Sequence, residues 1–284
     1  MSAITRSSSS PFRPLAGAAL LVACLAPASF GQTVRVTNDR GGTRSVAQMI
    51  PEFGVLKAFD FEFGNGGHKL KGIALRRAGA RTEVDLSDND GNDPYSVAAT
   101  YHDAFRFAPT EAETVEGRGT GVVTRLLADR RGFVPVLQGF SLVFADGGDH
   151  EVTELGVSLQ PIREETGRHR LRVVLREHQD RRPFDFLVQI VWVPLGNIDD
   201  AQVTIGDRGR GNSAPNRPSN ARGAAVLKGF SFRYMHDDGS DDSHYVKRAR
   251  VDLGAPDRNG AAASFHDGDG DDRRQVSVSY ATLR

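Results

Sequence analysis

Three histidines occupy one repeated position in this chain, each just after a Gly/Asp-rich turn and at the start of a strand-like run. His68 follows GNGG, His150 follows DGGD and His244 follows DDGSDDS. Imidazole can ligate a metal or hydrogen-bond a ligand. Asp149 and Asp242 stand close before two of the rings, so His68, Asp149, His150, Asp242 and His244 form the candidate ligand-binding set. A structural role competes with this reading: a turn histidine that pins its own hairpin by hydrogen bonding to backbone would look the same. No second histidine lies at metal-ligand spacing in any of the three segments.

Acidic turns form the second chemical feature. DLSDNDGND contains Asp85, Asp88, Asp90 and Asp93, and HDGDGDD contains Asp267, Asp269, Asp271 and Asp272. Carboxylates interleaved with Gly and Asn suit Ca²⁺, which takes several oxygen ligands on a flexible loop. Asp88, Asp90, Asp93, Asp267, Asp269 and Asp271 are therefore the candidate metal ligands, with Ca²⁺ the one cofactor to consider. An EF-hand is excluded, because neither run continues to a glutamate at its twelfth position and then a helix. The corresponding turn EHQDRRPF keeps Glu177 and Asp180 but adds Arg181 and Arg182, which repel a cation. Solvated charged turns that block edge-to-edge strand pairing are the alternative for all three. In DDGSDDSH, Asp237, Asp238, Asp241 and Asp242 either join His244 in a mixed oxygen and nitrogen site or form a solvated insertion. The chain has no nucleophile elbow, no His-Glu-x-x-His pair, no phosphate loop and no dinucleotide fingerprint; GRGTG and GDRGRG read as arginine-bearing loops.

The elements that must position these residues repeat with them. VLKAFDFEF (Val55 to Phe63), VLQGFSLVF (Val136 to Phe144) and VLKGFSFRY (Val226 to Tyr234) share one alternating pattern. A second alternating run follows each histidine, with apolar or small residues two, five and seven places on. Each segment then closes on an aromatic, Tyr101, Trp192 or Tyr280, expected in the core. Period-2 patterning of this kind predicts half-buried antiparallel strands, so the fold class is all-β with three internal repeats. Anchors Phe59, Phe140 and Phe230 are spaced about right for small β-sandwich modules. Residues 32–111, 112–200 and 201–284 are the expected repeats, either three tandem sandwich-like units or one pseudo-threefold assembly. Gly206 to Gly223 reads as a mobile loop, and only parts of Arg44 to Ile50 and Val122 to Arg130 support a short helix.

Residues 1–31 read as a secretory signal, with Arg6 and Arg13 ahead of an apolar run from Leu15 to Leu25 that is too short to span a bilayer. The protein is expected to be secreted, periplasmic or on the cell surface. Leu21, Val22, Ala23 and Cys24 leave open a lipid anchor through Cys24. That cysteine is the only one, so disulfides and thiolate metal sites are excluded from the mature chain. Removing the leader leaves 34 basic against 36 acidic side chains, no polycation for nucleic acid, and no later apolar run suggests a transmembrane segment.

A segment that passes through a V-L-x-G-F strand, then GVSL, a polar turn and VQIVW, most clearly from Val136 to Trp192, resembles the H-type lectin domain. The resemblance implies a six-stranded antiparallel sandwich, assembly into trimers and a glycan ligand. That family's Trp-x-Asp-Thr signature is absent, since Glu177, His178, Gln179 and Asp180 stand there, so it assigns no sugar-binding residue. Export, repetition and the missing catalytic motifs predict a non-catalytic binding or adhesion protein, multivalent for glycans or extracellular matrix, with oligomerisation open. A structural envelope or appendage protein is the alternative, and a secreted hydrolase a further one.

Overall fold

A computed structural model describes residues 32–38, 42–48, 50–89, 93–107, 112–162, 165, 167–177, 182–199, 207–209, 224–254, 262–268 and 273–284. The expected leader, with Cys24, lies outside these residues, as do Asp90, Asp269 and Asp271. The described chain is all-β and antiparallel, with no α-helix and two single-turn 3₁₀ segments, Phe105–Phe107 and Leu195–Asn197. Among the described residues no helix is long and apolar enough to cross a membrane.

The strands are β1 (Gln32–Asn38), β2 (Arg44–Val46), β3 (Gly54–Phe63), β4 (Gly72–Ala78), β5 (Arg81–Ser87), β6 (Tyr95–Asp103), β7 (Ala112–Leu126), β8 (Phe133–Phe144) and β9 (Glu154–Pro161). They continue as β10 (His169–Arg176), β11 (Pro183–Pro194), β12 (Ile198–Asp199), β13 (Asp207–Gly209), β14 (Ala224–Met235), β15 (Arg248–Asp252), β16 (Ala262–His266) and β17 (Arg273–Leu283). One sheet has the order β1–β6–β3–β15–β16. The other runs β12–β17–β14–β9–β10–β7–β11–β8–β4–β5–β2, with β13 on β17.

Pairings run in a cycle. The strand after His68, β4, pairs with anchor strand β8; the strand after His150, β9, pairs with anchor strand β14; the strand after His244, β15, pairs with anchor strand β3. Each segment thus lends a strand to the next, and the third lends to the first. Strands exchanged in this way around a shared core belong to a single assembly, the second of the two arrangements left open by the sequence. Phe59, Phe140 and Phe230 meet at its centre, with ring centroids 5.6, 4.8 and 5.0 Å apart pairwise. All three are buried, as are Tyr101, Trp192 and Tyr280 and every residue two, five and seven places after the histidines. Val55, Val136 and Val226 enter a second apolar cluster at the start of the anchor strands, opposite the end that carries the histidines.

Each anchor strand carries one bulge, at Lys57, Gln138 and Lys228, the third position of its V-L-x pattern. A bulge puts two residues opposite one, bends the strand and increases the local twist.

Three expectations are corrected. Arg44–Val46 and Val122–Leu126 are strand, not helix. GRGTG is no loop: β7 continues through it, its first part on β11 and its last on β10, with Gly121 in the left-handed region (φ 61°) where the strand changes partner. Gly117 and Gly119 make room, since a Cβ on Gly119 would lie 2.0 Å from a Val123 methyl and one on Gly117 3.0 Å from the Phe186 ring, whereas Gly121 supplies the bend. From the stretch Gly206 to Gly223, Asp207–Gly209 pairs with β17 as a strand, and 210–223 lie outside the described residues.

Candidate functional site

The three histidines close a ring at one end of the fold. His68 bridges Val246, Leu70 bridges His150 and Val152 bridges His244. Two backbone hydrogen bonds make each bridge, from Leu70 N–H to the His150 carbonyl (2.8 Å) and back (3.0 Å), and likewise around the ring. The backbone of each histidine therefore joins its segment to another. Each imidazole packs on the aromatic that ends an anchor strand, Phe63, Phe144 or Tyr234, with ring centroids 4.8, 4.5 and 5.0 Å apart.

The imidazoles are gripped by side chains rather than by the backbone contacts of the hairpin-pinning reading. His150 Nε2 lies 3.1 Å from Asp146 Oδ1, and its Nδ1 3.0 Å from Glu177 Oε2. His244 Nε2 lies 2.8 Å from Asp242 Oδ2, and its Nδ1 3.2 Å from Asp267 Oδ2. Hydrogen bonding to His150 holds the Asp146 carboxyl below the usual aspartate value, with the Gly148 N–H and Arg182 adding to the effect against partial burial. The first cluster differs. His68 Nε2 faces the Asn65 amide oxygen at 2.9 Å, while its Nδ1 faces Asp88 Oδ2 at 3.1 Å and Asp93 Oδ2 at 3.0 Å.

Strand register explains the difference. Tyr95 pairs with Phe63 as Phe184 pairs with Phe144, so Asp93 and Arg182, two residues earlier, are equivalent. Arg182 neutralises its cluster through Asp146 (3.2 Å) and Glu177 (3.5 Å). In the third cluster Arg274 comes within 4.0 Å of Asp267, and His236 adds a contact of 3.0 Å to Asp242. Where the others have a cation, the first has a second carboxylate.

Other expected site residues have other work. Asp149 does not touch His150; its carboxylate accepts from the Asn89 N–H at 3.3 Å and ties the second histidine turn to the first acidic turn. Asp85 is buried in β5 beside Ser87, and burial pushes its carboxyl up, away from the cation-binding form. Asp241 is held by Arg233 and Arg176 and takes no part in the His244 cluster. Asp267 belongs to that cluster but faces an arginine, which disfavours the expected cation there. Glu177, Asp146, Asn65 and His236 were not among the expected site residues. The repeat register marks Glu177, the first acid after β10, as the counterpart of Asp88 after β5 and Asp267 after β16.

Two concavities stand on this framework. One, of about 450 Å³, lies between the first histidine turn at Gly66 and Gly67 and the third at Ser243 to Lys247, with Glu151 and Asp267 at its edges. Tyr245 is 46% exposed there, and its carbonyl is held by the Tyr234 hydroxyl at 3.1 Å. A Cβ on Gly67 would fall 2.0 Å from the Asp267 carbonyl oxygen, so this wall closes only with glycine. The other, about 770 Å³, lies over β17, β14, β9 and β10 and is lined by Ser158, Ser231, Ser277, Ser279 and Gln275 with arginines at its rim. No family model matches the chain, and no curated protein matches it in sequence.

Proposed function

We propose that this is an exported, non-catalytic binding protein whose ligand is a glycan held at the histidine end of the fold. The cavity between the Gly66–Gly67 turn and the His244–Lys247 segment carries the reading. An exposed Tyr245 offers a flat apolar face against which a sugar ring can stack, and Glu151, Lys247, Ser243 and Asp267 supply the acceptors and donors that hydroxyl groups need. The closed ring of backbone bridges makes a rigid platform for turns of this kind. Export rests on the leader-like residues 1–31.

The residue after each histidine is Lys69, Glu151 or Tyr245, so an aromatic platform exists once per chain. Multivalent attachment to a surface or matrix would then come from several chains acting together.

A glycan array probed with purified protein, followed by titration of the best hit, tests this. Retention of a defined glycan class that falls at least tenfold in Tyr245→Ala, with an unchanged melting temperature, is the expected result. Absence of any retained glycan, or binding indifferent to Tyr245→Ala, would overturn it, the latter moving attention to the serine-lined cleft.

A further inference from the structure

We propose that His68, Asp88 and Asp93 together bind one divalent transition cation of the Zn²⁺ or Mn²⁺ kind, at the first histidine cluster and not at its two counterparts. This inference stands apart from the glycan reading.

The donor geometry fits. His68 Nδ1 lies 3.1 and 3.0 Å from one oxygen of each carboxylate, and the three donor atoms all lie within 4.8 Å of one another. Two ligands bound at ~2.1 Å and at right angles are themselves about 3.0 Å apart. One imidazole nitrogen with two carboxylates suits Zn²⁺, Mn²⁺ or Fe²⁺ better than Ca²⁺, which takes six to eight oxygens.

The partner on the far side of the imidazole fits as well. At the second and third clusters a carboxylate faces Nε2 and another faces Nδ1. At the first, the group facing Nε2 is the neutral Asn65 amide oxygen. On the other side of the ring, Nδ1 faces Asp88 and Asp93. Metal-bound histidines are oriented in this manner by a partner on the far nitrogen. Asn65 also donates to Asp93 Oδ1 at 2.6 Å, fixing the ligand carboxylate as well as the ligand imidazole.

Charge completes the case. Asp88 is buried, and Asp88 and Asp93 each place a carboxylate oxygen beside the same His68 nitrogen, at 3.1 and 3.0 Å, so two carboxyl groups meet at close range. Like charges so placed require a proton or a cation between them. At the position of Asp93 the second cluster has Arg182, which supplies that positive charge from the chain itself.

Asp93→Arg is the decisive variant, because it gives the first cluster the residue the second tolerates at the same register. Chelator-treated protein is titrated calorimetrically with Zn²⁺, Mn²⁺ and Ca²⁺, and its melting temperature is followed as a second readout. Wild type is expected to bind Zn²⁺ or Mn²⁺ with a gain in melting temperature. Asp93→Arg and His68→Ala are each expected to lose one equivalent, or to weaken it by more than ~100-fold, beyond what loss of an outer partner costs. Asn65→Asp, which restores the charged pattern of the other clusters, is expected to weaken it by ~10 to 100-fold. If Asp93→Arg does not fold, Asp93→Asn is read in its place. Zn²⁺ and Mn²⁺ binding undiminished by the Asp93 and His68 changes, preference for Ca²⁺, or no binding by wild type would each overturn the proposal.

Discussion

Replacing Phe59 by alanine tests whether the exchanged strands make one cooperative unit. Phe59 lies at the meeting point of the anchor strands, with ring centroids 5.6 Å from Phe140, 4.8 Å from Phe230 and 5.7 Å from Phe61. A fully buried phenylalanine truncated to alanine costs about 3–5 kcal/mol. The upper part of that range is expected here, because the lost edge-to-face contacts add to the transfer cost and rings on three strands cannot all move in to fill the space. For a protein of this size each kcal/mol moves the melting temperature by about 2–4 °C, so a loss of about 4–5 kcal/mol should lower it by roughly 8–20 °C. The only tryptophan provides a remote reporter: Trp192 is buried in β11, where its indole N–H donates to Glu113 at 2.7 Å. Urea unfolding followed by Trp192 fluorescence and by far-ultraviolet circular dichroism should give one coincident transition, and Phe59→Ala should shift both probes equally. A loss below about 1 kcal/mol, or a fluorescence midpoint that stays put while the dichroism midpoint moves, would show that the segments fold separately and that the shared core is wrong.

Gly139→Ala should destabilise by about 1–3 kcal/mol, since its Cβ would lie 2.6 Å from the Leu75 carbonyl oxygen on the strand lent by the preceding segment; unchanged stability would mean that β4 and β8 can move apart. Gly229→Ala meets Ser158 of β9 at the same 2.6 Å and should behave alike under chemical denaturation. Asp146→Asn bears on acid stability: hydrogen bonding to His150 holds this carboxyl below the usual aspartate value, so its contribution is complete above that value and is lost as pH falls through the depressed one. The variant should therefore show a shallower fall in urea midpoint below about pH 4 than wild type, and parallel curves would remove His150 as the cause. Mass spectrometry of exported protein should place the new N-terminus within a few residues of Ser29 or Gln32, whereas a diacylated Cys24 would establish the lipid-anchored alternative.

Local patterning made much of this architecture legible. Alternation in VLKAFDFEF and its two counterparts marks which side chains go inward, and Phe59, Phe61 and Phe63 are buried while Asp60 and Glu62 between them are not. The histidine positions and the buried residues after them could be read in the same way. Strand exchange could not, because period 2 tells a strand which face to bury and nothing about which neighbour it will pair with. β7 was hidden for a different reason: glycine ordinarily signals a turn, yet Gly117 and Gly119 are needed where Phe186 and Val123 occupy the space a side chain would take. At the site, Asp242 was found beside His244 because both lie in one turn. Asp93, Asp88 and Glu177 reach their histidines from a separate turn, and only the strand register brings them together.

The ring also explains how its three clusters can differ. Each bridge uses backbone groups alone, from Leu70 with His150 to Val246 with His68, so the hydrogen bonds that close the ring do not depend on which polar side chains the turns carry. Each imidazole has an oxygen on either side, from Asn65, Asp146 or Asp242 at one nitrogen and Asp88, Glu177 or Asp267 at the other. An assembly of three identical chains would repeat one turn three times, with the same charge in each. Carrying the three segments in one chain removes that constraint. One cluster can then be neutralised from within by Arg182, another can face Arg274, and the first can carry Asp93 and a neutral amide in their place.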